Sequence, residues 1–246
     1  MILKQGLLFL VLSVFVLLLK PNYVNAQVGD QAVRLGMKIP YTYDIGYYQR
    51  FSNRIGMHFS TQFITIPFSK VPIGYMNLFG ADPNVTAILE EPFSIGAGLD
   101  LGFHYYFGTD SRRYYGALSV QWMNLLKRDL KDEVINNAFD LNFNTPGVVT
   151  FGPISKSQSN KPLTLNTNYV NLGFIFGKIV PLPNSENEVR IELAVNKTIF
   201  SHHNLQSDYR YITPISEITN ESLQSTMRKY GWFPTFNAYF IYKLPN

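Results

Sequence analysis

The chain has 246 residues, with 21 Lys and Arg against 17 Asp and Glu, no cysteine, and 15 % aromatic residues. So even a balance leaves no electrostatic footprint for a nucleic-acid partner, and without cysteine there is neither a disulfide framework nor thiol chemistry to consider. Past residue 26 no apolar run approaches the ~20 residues of a spanning helix, so any passage through a membrane has to be made by strands.

The N-terminal stretch carries Lys4, the apolar run Gly6–Leu19, Lys20-Pro21 and the small-residue exit Val24-Asn25-Ala26. These are the three parts of a secretory signal peptide, with cleavage expected before Gln27. The expected organisation is a leader over residues 1–26 and one β-domain over 27–246. The first strand is Ala32–Ile39, where Val33, Leu35, Met37 and Ile39 alternate with Arg34, Gly36 and Lys38, and Pro40 ends it. Tyr43–Phe51, the turn Ser52-Asn53-Arg54 and Ile55–Ile66 follow. Pro67 to Pro92 holds four prolines and reads as a loop.

Ser94–Phe107 and Tyr114–Met123 form a hairpin around the polar turn Gly108–Arg113. On its first strand Ile95, Ala97, Leu99, Leu101, Phe103, Tyr105 and Phe107 share one face, while Ser94, Gly96, Gly98, Asp100, Gly102, His104 and Tyr106, small or polar apart from the last, share the other. Lys127 to Leu163 reads as a second long loop, with a short helix over Lys127–Phe139. Asn168–Lys178, the turn Pro181–Asn187 and Val189–Thr198 form another hairpin. Ser201–Tyr230 is the third long connection, and Thr235–Lys243 closes the chain. From the second strand on, connections alternate short and long, the rhythm of a barrel with short periplasmic turns and long outer loops. Counting Ala32–Ile39 gives eight strands and puts both termini on the short-turn side.

Alternation alone does not say whether the apolar face turns inward or outward. The polar face holds Gly36, Gly46, Gly56, Gly96, Gly98, Gly102, Gly173 and Gly177 among Arg34, Lys38, Asp44, Arg50, Asp100, Arg190, Glu192 and Lys243. Small residues and mixed charges suit the narrow interior of eight strands, which side chains just fill. Aromatics gather near the short turns (Tyr47, Tyr48, Phe51; Tyr105, Tyr106, Phe107; Tyr114, Tyr115), as in the girdle of a membrane barrel. The fold expected is all-β, an eight-stranded antiparallel up-and-down transmembrane β-barrel with outer-membrane lipid as its surroundings.

The segment Tyr43–Phe59 resembles the first periplasmic hairpin of the small outer-membrane β-barrel proteins of Gram-negative bacteria, and Phe236–Tyr242 resembles their closing strand. Lys243-Leu-Pro-Asn246 departs from their pattern, which often ends on an aromatic. The resemblance implies an outer-membrane location and a role as adhesin, structural anchor, small-solute pore or lipid-modifying enzyme.

Chemistry is sparse. His58 and Ser60 form a His-x-Ser pair of the kind that outer-membrane lipid A deacylases use, the histidine activating the serine. Parity puts the pair on the lumen face, away from lipid substrate, and Thr61 stands where those enzymes have Asn. His202-His203 reads as a loop pair without an acidic or Cys ligand at metal spacing. Asp100 and His104, four apart on one strand, are too distant to touch and call for cross-strand partners. No catalytic, cofactor-binding or metal-ligating residue is assigned. The expectation is a non-enzymatic outer-membrane barrel acting through three outer loops, 67–92, 127–164 and 201–230, which would carry any extracellular ligand. The alternatives are a lipid A-modifying enzyme, a small-solute pore and an exported soluble ligand binder.

Overall fold

The computed structural model describes residues 31–65, 67–107, 114–139, 163–207 and 212–244. The expected leader over 1–26 and the turn Gly108–Arg113 lie outside the described residues. Eight strands pair antiparallel in chain order and close on themselves: β1 Gln31–Ile39, β2 Thr42–Arg50, β3 Ile55–Ile64, β4 Gly96–Phe107, β5 Tyr114–Leu130, β6 Leu163–Pro181, β7 Glu188–Gln206 and β8 Trp232–Lys243. β1 is a separate strand, paired with both β2 and β8, so both ends of the described chain lie on the short-turn side. Leu244 N–H donates to the Gln31 carbonyl at 2.9 Å and ties those ends together.

The alternation read from the sequence turns outward. Leu35, Ile45, Phe103, Leu118, Phe174, Leu193 and Phe236 stand exposed on the outer wall, whereas Arg34, Lys38, Asp44, Asp100, Arg190 and Glu192 are buried inside. A soluble barrel would reverse this; a wall of exposed Leu and Phe around a charged interior is the dressing of a barrel that crosses lipid. β1 and β2, at nine residues each, have the length a tilted spanning strand needs. Among the described residues no helix is long and apolar enough to cross a membrane.

The short turn after β2 is held locally. Ser52 Oγ accepts from Arg54 N–H and Ile55 N–H, each at 3.1 Å, and Arg50 donates to the Ser52 and Asn53 carbonyls. The aromatic girdle expected near these turns is only half on the outer wall. Tyr47, Tyr105, Phe107 and Tyr114 face out, but Tyr48, Tyr106 and Tyr115 are buried in the lumen. Adjacent strand residues point to opposite faces, so a run of three aromatics cannot share one side.

Among the described residues the long connections carry helices and strand extensions. The first holds α1, Val71–Leu78, and α2, Pro83–Glu90, flanked by one-turn 3-10 helices at Phe68–Lys70 and Pro92–Ser94. Its prolines start helices rather than break them: Pro72 and Pro83 sit in first turns, where a missing N–H costs nothing, and Asp82 caps α2 by accepting from Asn84 N–H at 2.8 Å. The second runs β5 on to Leu130 and adds α3, Asp132–Phe139; residues 140–162 lie outside those described. In the third, β7 continues to Gln206 and α4 spans Ile212–Tyr230, burying Ile215, Thr219, Leu223 and Met227 at four-residue spacing.

Candidate functional site

Inside the barrel, His58 of one pair singled out in the sequence meets both members of the other, Asp100 and His104. The β3–β4 register sets His58 opposite Gly102, between Asp100 and His104. His58 Nε2 lies 3.0 Å from Asp100 Oδ2, and His58 Nδ1 lies 2.6 Å from His104 Nε2. An ionised carboxylate only accepts, so His58 donates from Nε2 to Asp100, and with the ring neutral its Nδ1 accepts the His104 N–H. Lys38, reaching in from β1, donates to the same Asp100 oxygen at 2.6 Å. Asp100 and His104 therefore take a cross-strand partner, as expected, and one ring serves both. Gly102 is required for this, because a Cβ there would strike the His58 ring.

Ser60 belongs to a different group. Its Oγ donates to Asp44 Oδ2 at 2.9 Å, and Gln62 Nε2 lies 3.2 Å from both Asp44 and Asp100, linking the two. Arg34 Nε sits 3.4 Å from Asp44 Oδ1, with its guanidinium 3.5 Å from the centre of the Tyr239 ring. His58 and Ser60 face the lumen as parity implied, but they are not assembled as base and nucleophile. Nearer the short turns, Arg190 donates to Tyr106 OH at 3.0 Å and lies 3.8 Å from the Tyr48 ring centre, and Tyr48 and Tyr106 join through their hydroxyls. Its carboxylate partner is Glu188, whereas Glu192 accepts from Tyr115 OH at 2.7 Å and Asn237 Nδ2 at 2.9 Å. Tyr115 fits because Gly177 faces it.

Toward the other end the interior changes chemistry without a change of geometry. Along β5 the inward residues run Ser119, Gln121, then Met123 and Leu125; along β6, from the turn upward, Gly173, Asn171, then Tyr169, Thr167 and Leu165. Met123, Leu125, Leu165 and Tyr169 join Ile73, Met76, Ile88, Leu89, Ile135, Leu223 and Met227 of the helices in one buried apolar cluster across the mouth. The outward face inverts at the same level. Asn124 Nδ2 donates to Asn166 and Asn168, each at 2.9 Å, a polar ladder where the wall below carries Leu118 and Phe174. The mouth is thus capped by a small core of the soluble kind.

β7 outgrows β8, whose pairing stops at Lys197 opposite Trp232. The edge beyond is covered by α4, and helix side chains replace the missing strand. His203 N–H donates to Asn220 Oδ1 at 2.8 Å, Leu205 N–H to Ser216 Oγ at 3.2 Å, and Gln224 Nε2 to the Ser201 carbonyl at 3.1 Å. The His202-His203 pair, read as part of a loop, lies on this extended strand. The register slips between Val170 and Asn171 of β6, so Ile199 and Phe200 of β7 both face outward and His203 then turns inward. His203 meets Thr167 and Ser201, and His202 is exposed. Among the described residues no group of three His, Cys, Asp or Glu is placed to hold a metal ion. A cleft of about 360 Å³ lies between β7 and α4, lined by His202, Asn204, Leu205, Ile212, Glu217 and Asn220 among others.

No family model and no curated protein matches the chain. Among the crystal structures similar to it are those of Acinetobacter baumannii CarO2 and Acinetobacter baumannii CarO. The first aligns at a TM-score of 0.37 with 9 % identity, covering 89 % of this chain and 100 % of that one. The second aligns at 0.36 and 9 %, covering 87 % and 97 %. Likeness of that degree says nothing of function, and the barrel described above rests on its own strand pairing.

Proposed function

We propose that this protein is a non-enzymatic, non-conducting barrel of the outer membrane whose helical cap presents a recognition surface on the outer side. The observation that carries this reading is the sealed interior. Lys38, Asp100, His58 and His104 fill the middle of the lumen with mutually bonded groups, and an apolar cap covers the mouth above them. A solute path would need a continuous wet channel, and here Lys38, Asp100 and His58 are bonded to one another beneath oily side chains. Capping helices in place of extended loops give the outer face a fixed shape, and the cleft between β7 and α4 falls within the usual size of ligand pockets.

Cell fractionation with protease shaving tests the location: the full chain should enter the outer-membrane fraction and be cut only within the cap segments. Purified protein in a planar bilayer should give no conductance steps, and the lipid A acyl pattern should be the same with and without the protein. Steady single-channel openings would overturn the non-conducting reading. A changed acyl pattern would overturn the non-enzymatic one.

A further inference from the structure

On the outer wall, where β6, β7, β8 and β1 lie side by side, the surface is recessed. The groove has a volume of about 700 Å³ and is lined by Ile39, Phe174, Leu193, Val195 and Phe236, with Tyr75 of α1 overhanging it. The register makes these residues neighbours: Phe174 faces Val195, Leu193 faces Phe236, and Phe236 faces Ile39. Pro234, opposite Val195, supplies the recess, standing between the bulkier outward residues Trp232 and Phe236.

Directly above comes positive charge. Lys197, one outward position beyond Val195, lies with its Nζ 4.6 Å from the Trp232 ring centre and donates to the Lys229 carbonyl at 3.1 Å. Arg228 and Lys229, in the last turn of α4, are exposed. Cations near a helix C-terminus are ordinary, since its carbonyls attract them. Here, however, one of the three comes from the barrel wall, and among the described residues no ion pair with a carboxylate is formed by Lys197, Arg228 or Lys229. An apolar furrow in the lipid-facing wall beneath three cations has the polarity of one kind of molecule.

We infer that this wall binds a phosphate-headed lipid of the leaflet on the cap side, with an acyl chain in the groove and the phosphate at Lys197, Arg228 and Lys229. Arg supplies a planar fork and Lys a compact charge, a combination suited to phosphate oxygens. Long stems let these side chains lie on apolar surface while their heads reach the polar layer.

The inference rests on the membrane reading, and heat-modifiable migration of the purified protein checks that reading separately. Full-length protein in detergent is titrated with diphosphorylated lipid A, and with the same lipid stripped of its phosphates, and retention is read by native mass spectrometry. Wild type should hold one phosphorylated lipid. Lys197→Gln combined with Arg228→Gln and Lys229→Gln should weaken retention by about tenfold or more, the scale of a lost charge-assisted contact. Val195→Trp, which fills the groove and leaves the cations, should weaken it as well, whereas Val120→Trp on another part of the wall should not. Equal retention by wild type and the triple variant, or indifference to phosphate removal, would overturn the site while leaving the membrane barrel standing. Loss of heat-modifiability in the wild type would remove both.

Discussion

The lower lumen and the capped mouth are two interiors of one cylinder, and they hold together by different physics. In the lower part every strand brings a polar group inward, and cohesion comes from opposite charges held close, Lys38 hydrogen-bonded to Asp100 and Arg34 3.4 Å from Asp44. In the upper part the same strands bring Met123, Leu125, Leu165 and Leu205 inward, and cohesion comes from burial against the helices. What separates the two is the medium outside. Where the wall faces lipid, an apolar interior would leave the strands without distinct faces, and a slip of one residue would cost little; polar inward residues fix which way each strand turns. Above the lipid, water outside restores the usual arrangement.

This contrast can be broken by experiment. The largest effect is expected from Asp100→Ala, which leaves Lys38 buried without its counter-charge and His58 without its acceptor. Denaturant unfolding in detergent should show a loss of about 3–5 kcal/mol, the usual cost of orphaning a buried charge. Leu223→Ala in the cap should cost about 2–5 kcal/mol by leaving a cavity, read as faster proteolysis of α4 while the barrel keeps its heat-modifiable migration. If that substitution melts the barrel too, the two interiors are one cooperative unit and the division fails. Gly102→Ala should cost about 1–3 kcal/mol through collision with His58. Combined with His58→Ala, the total should fall below the sum of the single changes, because the colliding ring is gone. Least affected is Lys70→Ala, which removes an exposed ion pair with Glu90 and should shift stability by less than about 1 kcal/mol.

Much of the lower region was legible in the sequence. Period-two alternation in Ala32–Ile39 or Gly96–Phe107 gives the strands, and the charges on the less apolar face give the lumen. The expectation stopped at Met123, Asn168 and Thr198, short of Leu130, Leu163 and Gln206 where those strands end. Each stopping point lies close to where the strand leaves the lipid and its hydrophobic phase inverts, so continued alternation looks like its loss. Of the cap helices only α3, Asp132–Phe139, was expected, within Lys127–Phe139, and the others were missed for local reasons. Prolines in residues 67–92 read as breakers, although Pro72 and Pro83 occupy first turns, and the stripe Ile215, Thr219, Leu223, Met227 is a helical signal too narrow to stand out beside Ser, Asn and Gln. The lumen relay could not have been assigned from one strand alone, since His58 joins Asp100 and His104 only through the β3–β4 register.

A closed cylinder has no lateral seam to offer a neighbour, yet by letting β7 climb past β8 this one opens a seam above its lip. Ser216, Asn220 and Gln224 stand guard over it as a counterfeit strand written on a helix. Without them, the amides of residues 203 and 205 would be free to zip onto any extended peptide, including the same segment of a second copy. The protection of that edge thus hangs on three uncharged side chains borne by a helix.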